Sequence, residues 1–399
     1  MPSQKIAQYD HPAHFEPLLP SAELLTRLAQ QVRPVAEASL RLQGALAPHT
    51  RVELRELVRS MNSYYSNRIE GQSTHPLNIE KALHQDFSAK PDVARRQRIA
   101  LAHIEAEKEL EALGLSEAQA FSTESLRLAH DALYRRLSPD DRRTDEGLDV
   151  PPGHWRDVSV AVFRHEPPPA ASISRFLTRA DEVYARPWGL DMLLVAAACA
   201  HHRLIWVHPF LDGNGRACRL QLHACLHHLT DGLWSVNRGL ARQRERYYQC
   251  LSEADMARQG DLDGRGNLSQ RMLVQWCEFF IEVCRDQVEF MTQLLQPQTL
   301  KTRLEALIRV RTAEREGYRT ELILPLLHVL ATGPVSRGDF ARMTGLGEST
   351  ARKSMSQLLK DGLLKSDSHR SEVRIGIPLD SLNILFPNLY PEAAAAPMD

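Results

Sequence analysis

Apolar residues recur along most of this chain at a helical period. Leu24, Leu25, Leu28 and Val32 share one face of a segment that opens after Pro20, so 21–32 reads as a helix. The same spacing predicts helices over 51–65, 77–83, 94–113 and 125–137. Gly71 offers a stop after the second of these, and Ser122 and Thr123 are N-cap candidates for the fifth. The pattern then breaks, because 138–155 is polar and rich in Asp, Arg, Pro and Gly, which is loop chemistry. Residues 158–163 form the one clear β-propensity run in the first 300 positions, closed by Pro167, Pro168 and Pro169. Helices resume over 172–184, 190–205, 216–230, 242–255 and 269–295, and a charged stretch over 296–318 predicts a helical connector. From about 320 a new pattern starts. An amphipathic helix over 321–332 precedes two short helices, 335–343 and 347–359, around the turn Thr344-Gly345-Leu346, and 363–377 reads as strand, turn, strand. The expected fold class is therefore mainly α, with a short β-hairpin and a C-terminal winged helix-turn-helix. The expected divisions are 1–115, 116–295, 296–319 and 320–399.

Composition narrows the function classes. The chain has 399 residues, 43% of them hydrophobic and 25% charged, which is globular usage and not that of a disordered or fibrous protein. Forty-nine Lys and Arg against 50 Asp and Glu leave a net charge of −1, so any surface for nucleic acid must be local. The longest apolar run, 192–200, is about half of what a bilayer span needs, and the N-terminus lacks the apolar core of a secretory signal. Six cysteines, at 199, 218, 225, 250, 277 and 284, fall inside helical patterns without C-x-x-C spacing, as reduced thiols of a cytosolic protein would.

The informative segment runs from His208 through Pro209, Phe210, Leu211, Asp212, Gly213, Asn214, Gly215, Arg216, Ala217 and Cys218 to Arg219. Two glycines flanking an Asn let the backbone turn its N–H groups toward a ligand, and a helix N-terminus just behind adds partial positive charge. Such a loop is a phosphate cradle. Asp212 offers a hard oxygen for Mg²⁺, and Arg216 and Arg219, at i and i+3, can both reach a polyphosphate. His208 at the mouth is suited to general-base work on a hydroxyl. Together these parts describe phosphoryl or nucleotidyl transfer.

This segment resembles the signature of the Fic family, His-x-Phe-x-Asp/Glu-Gly-Asn-Gly-Arg-x-x-Arg, with every defined position filled. The resemblance implies a Fic-type helical core and transfer of AMP from ATP to a Ser, Thr or Tyr hydroxyl of a protein. It implies that His208 deprotonates the hydroxyl and Asp212 holds Mg²⁺. Gly213, Asn214 and Gly215 would bind the α- and β-phosphates, Arg216 the β-phosphate and Arg219 the γ-phosphate, with Phe210 a core anchor. Residues 66–71, with Ser66, Glu70 and Gly71, match the family's inhibitory pattern Ser/Thr-x-x-x-Glu-Gly/Asn. A carboxylate there can pair with Arg219 and take the place of the γ-phosphate. Residues 155–163 resemble the family's flap, a hairpin that holds the target segment by main-chain pairing. Tyr247 and Tyr248 stand where the family places tyrosines near adenine, while Asp255 departs from the Asn usual there.

Other features draw blander readings. His130 on an amphipathic helix is a structural histidine, and the cluster His223, Cys225, His227 and His228 is not read as a zinc site, because no Glu follows the first His and Cys225 points to another face. Between 336 and 377 there are eight Lys and Arg against five Asp and Glu. That modest excess, with Arg352, Lys353, Lys365 and Arg370 on the expected recognition helix and wing, makes duplex DNA a partner of this module; dimerisation or protein docking is the competing use. The partners implied are thus a protein bearing a hydroxyl side chain, the chain itself among the candidates, DNA at the winged helix, and a second copy of the chain, with no membrane. Two enzymatic alternatives stand beside AMP transfer, namely AMP removal with Glu70 orienting a water and transfer of another nucleotide or phosphate-linked group. A DNA-binding regulator with a nucleotide-sensing core is the alternative of another class.

Overall fold

Prolines at the first turn begin four of the long helices, since a fixed φ and a missing N–H cost nothing there. In a computed structural model describing residues 9–144, 146–161 and 165–393, Pro48, Pro76, Pro91 and Pro297 open α2 (Pro48–Ile69), α3 (Pro76–Leu83), α4 (Pro91–Ala112) and α13 (Pro297–Glu314). Each of α2 and α4 therefore starts three residues before its apolar period becomes visible. The first helix, α1 (Ala22–Gly44), runs twelve residues past the expected end, straight through Pro34. Val32, Val35, Ala36, Ser39 and Leu42 lie buried on its inner face, and that packing outweighs the hydrogen bond lost at the proline.

The remaining elements follow in order: α5 (Glu117–Ala120), α6 (Thr123–Tyr134), α7 (Ile173–Tyr184), α8 (Leu193–Val207), α9 (Asn214–Thr230), α10 (Val236–Arg242), α11 (Arg244–Ala254) and α12 (Gln270–Leu294). Ser122 caps α6 by accepting from Ser125 N, and Ser269 caps α12 by accepting from Met272 N. The expected helix over 242–255 is α11, and a separate short helix, α10, precedes it across a break at Gln243. α10 passes so close to α12 that a Cβ on Gly239 would stand 2.5 Å from Val283 Cγ1. The core is built around α8 and α12, both packed against each other, with α1, α9 and α11 around them. Trp206, Trp234 and Trp276 are its largest fully buried side chains. All six cysteines are free thiols, and Cys199 Sγ lies 3.5 Å from Cys277 Sγ. Among the described residues no helix is long and apolar enough to cross a membrane.

The C-terminal segment consists of α14 (Ile323–Thr332), α15 (Arg337–Met343), α16 (Glu348–Lys360), strands β1 (Leu364–Lys365) and β2 (Arg374–Ile375), and α17 (Leu382–Leu385). The two strands pair antiparallel with Leu364 opposite Ile375, and a bridge between Val335 and Val373 widens the ribbon. The strands are shorter than the apolar run suggests, because only these positions find partners. The segment is anchored on α2 and α10. Glu53, buried on α2, takes Lys365 Nζ at 2.6 Å and Arg374 Nε at 3.2 Å, Tyr65 donates to Leu389 O at 2.9 Å, and Arg238 donates to Asn388 O at 2.8 Å. Arg311 and Arg315 of α13 and the following turn bind Asp380 and Asp361.

Glu53→Ala strips Lys365 of its carboxylate and leaves Arg374 only Asp367. It is expected to lower stability by about 1–3 kcal/mol, read as a lower denaturant midpoint at unchanged slope; an unchanged midpoint would show that this anchor contributes nothing.

Candidate active site

The end of α8 and the start of α9 are joined by a loop that one side chain closes. Asn214 Oδ1 accepts from Phe210 N and its Nδ2 donates to Phe210 O, both at 2.9 Å, so the Asn214 side chain is spent on the turn and only its N–H faces a ligand. His208 ends α8 in the left-handed region, φ 49°, which swings its ring out of the helix axis. Gly213 is also left-handed, φ 76°, immediately before α9. The first intrahelical bond of α9 runs from Ala217 N to Gly213 O, so the N–H groups of Asn214, Gly215 and Arg216 open outward as an anion nest.

Behind the loop stands a stack of rings. His130 lies 3.8 Å from Phe210, centroid to centroid, and 4.3 Å from Tyr134, both nearly parallel, while Trp155 covers the far side of Phe210 at 4.7 Å. His130 Nδ1 accepts from Gly153 N at 3.0 Å, so Nε2 carries the proton and donates to Asp212 O at 3.1 Å. Burial holds this ring neutral, down to about 4. The Tyr134 hydroxyl donates to Asp212 Oδ2 at 3.0 Å and accepts from Arg216 Nη2 at 3.1 Å. One phenol therefore fixes both the exposed carboxylate and the buried guanidinium of the loop. Tyr134 also explains Gly213: a Cβ there would stand 2.3 Å from its ring.

The two signature arginines are held by the segment at the end of α2. Arg219, fully buried, donates from Nε to Ser66 Oγ at 3.0 Å and from Nη2 to Ser66 O at 3.1 Å and Glu70 Oε1 at 2.5 Å. The same Glu70 oxygen lies 2.5 Å from the point a Cβ on Gly215 would take, so the carboxylate rests on the nest itself. Arg216 Nη1 donates to Gln72 Oε1 at 3.1 Å, and its Nε is buried without a partner among the described residues. Burial opposes both charges, yet Glu70 and, for Arg216, Tyr134 and Asp212 keep both guanidiniums firmly protonated.

His208 is half-buried. Burial first, then the charges of His165 and Arg156, push it down to about 4, so its ring is neutral at ordinary pH. Arg156 organises this side without any carboxylate. Its guanidinium donates to His208 O at 2.8 Å, Val158 O at 2.8 Å and Pro168 O at 2.6 Å, and its own N–H donates to Pro209 O at 2.8 Å. The expected flap hairpin does not form over the described part of 155–163: residues 155–161 are irregular, and 162–163 lie outside the described residues. Arg156 binds the carbonyl of Val158, inside the run, and that of Pro168, beyond it.

The remaining expected residues are spread more widely. Tyr247 is buried, its hydroxyl 2.9 Å from His201 Nε2, so it belongs to the core behind Arg219. Tyr248 is 38% exposed and donates to Ile69 O at 3.1 Å, at the rim where α2 ends. Asp255 is taken by His202 Nε2 at 3.1 Å. On the C-terminal segment Arg352, Lys353 and Arg370 are exposed, Arg352 pairing with Glu348, but Lys365 is committed to Glu53 and is not a free cation of a DNA-facing wing. Tyr134, Arg156 and Gln72 escape the sequence reading. Tyr134 alone left a signal, four residues after His130 on one helix face.

Residues 120–226 match the family model described as Fic/DOC family. The Protein adenylyltransferase Fic of Nematostella vectensis is 27% identical over 197 residues, covering 48% of this chain and 42% of that protein. The one of Drosophila willistoni is 27% identical over 154 residues, covering 38% and 30%. The chain thus matches less than half the length of these curated relatives. Among solved structures, a Fic family protein from Desulfovibrio desulfuricans G20 shares the fold over 90% of this chain and 98% of its own, with a TM-score of 0.50 at 19% identity. Fic-1 of C. elegans does so over 68% and 74%, with a TM-score of 0.52 at 18% identity. A helical fold carrying this loop is that of the Fic proteins. Residues 120–226 thus carry a Fic/DOC-type domain, and the chain is similar over that region to proteins named Protein adenylyltransferase Fic.

Gly213→Ala forces a Cβ into the Tyr134 ring and strains a left-handed position, the latter alone costing about 1–2 kcal/mol. Its melting temperature is expected to fall well below that of wild type, and below that of Tyr134→Ala. Adding Gly213→Ala to Tyr134→Ala should then cost only the backbone strain. An equal cost in both backgrounds would disprove the clash.

Proposed function

We propose that this chain is a protein adenylyltransferase that moves AMP from ATP to a Ser, Thr or Tyr hydroxyl of a protein, and that Glu70 restrains it. The observation that carries the reading is the seat of the Glu70 carboxylate. An internal anion already lies against Gly215 and Arg219, where a nest and a buried guanidinium would otherwise receive a phosphate. The name of the curated relatives supports the same chemistry.

In this reaction a neutral His208 accepts the proton of the target hydroxyl. The hydroxyl oxygen bonds to the α-phosphorus, the bond from that phosphorus to the oxygen bridging the β-phosphate breaks, and pyrophosphate leaves with the pair. The N–H groups of Asn214, Gly215 and Arg216 hold phosphate oxygens, and Arg216 and Arg219 take the charge of the β- and γ-phosphates. Asp212, 47% exposed and steadied by Tyr134, fits Mg²⁺, a hard cation that takes one or two carboxylates beside substrate phosphates and neutralises their charge when bound. Ser66, Glu70 and Gln72 together occupy both arginines, so the γ-phosphate competes with Glu70 for one cation.

A coupling of about 1–3 kcal/mol between such sites corresponds to roughly 5–150-fold. Glu70→Gly is accordingly expected to raise AMP incorporation, self-modification included, by about tenfold or more, and Gln72→Ala, which breaks only a neutral contact, by less. Labelled ATP with the full chain reads both; a Glu70→Gly variant no faster than wild type overturns the restraint. His208→Ala should lose roughly 10²–10⁴-fold in transfer while ATP affinity holds, and a parallel loss of affinity would overturn the base assignment. Because the His208 ring charges only as pH falls toward about 4, the acid limb of kcat/KM should lie well below the ordinary histidine value of about 6.5. A limb centred at 6.5 or above would contradict a buried neutral base.

A further inference from the structure

Farther along α9, on the face that carries Arg219, the helix presents His223 and His227 one turn apart, and α4 brings Glu111 alongside. The donor atoms of these three residues all lie within 4.8 Å of one another. Sequence spacing hides the set, since the carboxylate lies 112 positions before its first histidine partner. We propose that Glu111, His223 and His227 form a second metal site, for a borderline transition cation of the Zn²⁺ class, separate from the phosphate loop.

Two imidazoles at i and i+4 with one carboxylate is a donor set that Zn²⁺ accepts, leaving a fourth position for water. His223 Nε2 already lies 3.2 Å from Glu111 Oε1, about the separation that two ligands of one tetrahedral ion require. His227 supplies the observation that points to a ligand. Its Nδ1 is buried and has no hydrogen-bond partner among the described residues. Glu111 and His227 are each partly exposed, which leaves the ion a way in.

In the metal-free protein the charges of this site are balanced by an internal cation. Arg59 of α2 donates to Glu111, and also to Glu56 at 2.6 Å. Glu107 lies 3.5 Å from His223 Nε2 and accepts from Asn62 Nδ2 at 3.1 Å. An entering ion must therefore part Arg59 from Glu111. Arg59 is thus a competitor for the site, and removing it should strengthen binding, which a chance surface histidine site would not show.

The test titrates Zn²⁺ into the full chain against a chromophoric chelator, with Co²⁺ absorption as a report on four-coordinate geometry. One ion per chain is expected. His227→Ala should weaken that ion by roughly tenfold or more, since even supporting residues of metal sites are worth 10–100-fold. Its melting temperature in chelator should stay at the wild-type value, because Nδ1 gives up no hydrogen bond. Arg59→Met should tighten binding by about tenfold on the same scale; should it fail to fold, His227→Ala and Glu111→Gln decide alone. Zn²⁺ binding that His227→Ala and Glu111→Gln leave unchanged, or no stoichiometric binding at all, overturns the site.

Discussion

A guanidinium buried at the level of Arg219 cannot be left without partners, because the penalty for an unsatisfied charge in such a place is several kcal/mol. Everything around the loop is arranged by that demand. At rest Ser66 and Glu70 meet it from α2, and Glu70 is the only one of the two that bears a charge. The contact is short and charge-assisted, yet the Glu70 side chain keeps 31% of its surface in solvent, so it can leave without carrying a buried charge through the core. On the proposed function, restraint by Glu70 and binding of the substrate phosphate would draw on this one cation.

The second cation is governed differently. Arg216 is tied to neutral partners, the Tyr134 hydroxyl and the Gln72 amide, and its nearest carboxylate oxygen, on Asp212, stands 3.8 Å away. Tyr134 lies between that carboxylate and that guanidinium and keeps them from collapsing into a closed ion pair. Both remain oriented and unneutralised. The ring stack of Tyr134, His130, Phe210 and Trp155 gives the phenol its rigidity, which a lone tyrosine on a helix would lack.

The helices, the loop and the segment 66–71 that meets Arg219 are legible in the sequence because each is a local pattern: a period, a turn chemistry, a short run of residues. What the sequence conceals is long-range or irregular. α1 runs on through Pro34 because tertiary burial outweighs a local rule, and α10 hides behind a glycine that serves close packing. The β-propensity of 158–163 is real but does not pair over its described part, where Arg156 binds the Val158 carbonyl. Tyr134, Arg156 and Gln72 reach the loop from elsewhere in the fold, and no spacing rule connects them to it. The tyrosine pair shows the reverse error, for adjacent residues on a helix face different ways, and Tyr247 went to the core while Tyr248 stayed at the rim.

Helix α2 is a single unbroken rod of 22 residues, and it is gripped near both ends. Near its start Glu53 clasps the C-terminal ribbon through Lys365 and Arg374; just past its end Glu70 clasps Arg219. Seventeen residues at 1.5 Å each put those two carboxylates about 25 Å apart along one axis. A helix of this length hardly changes its span, so α2 holds the C-terminal ribbon and the Arg219 side of the loop at a fixed spacing along one axis.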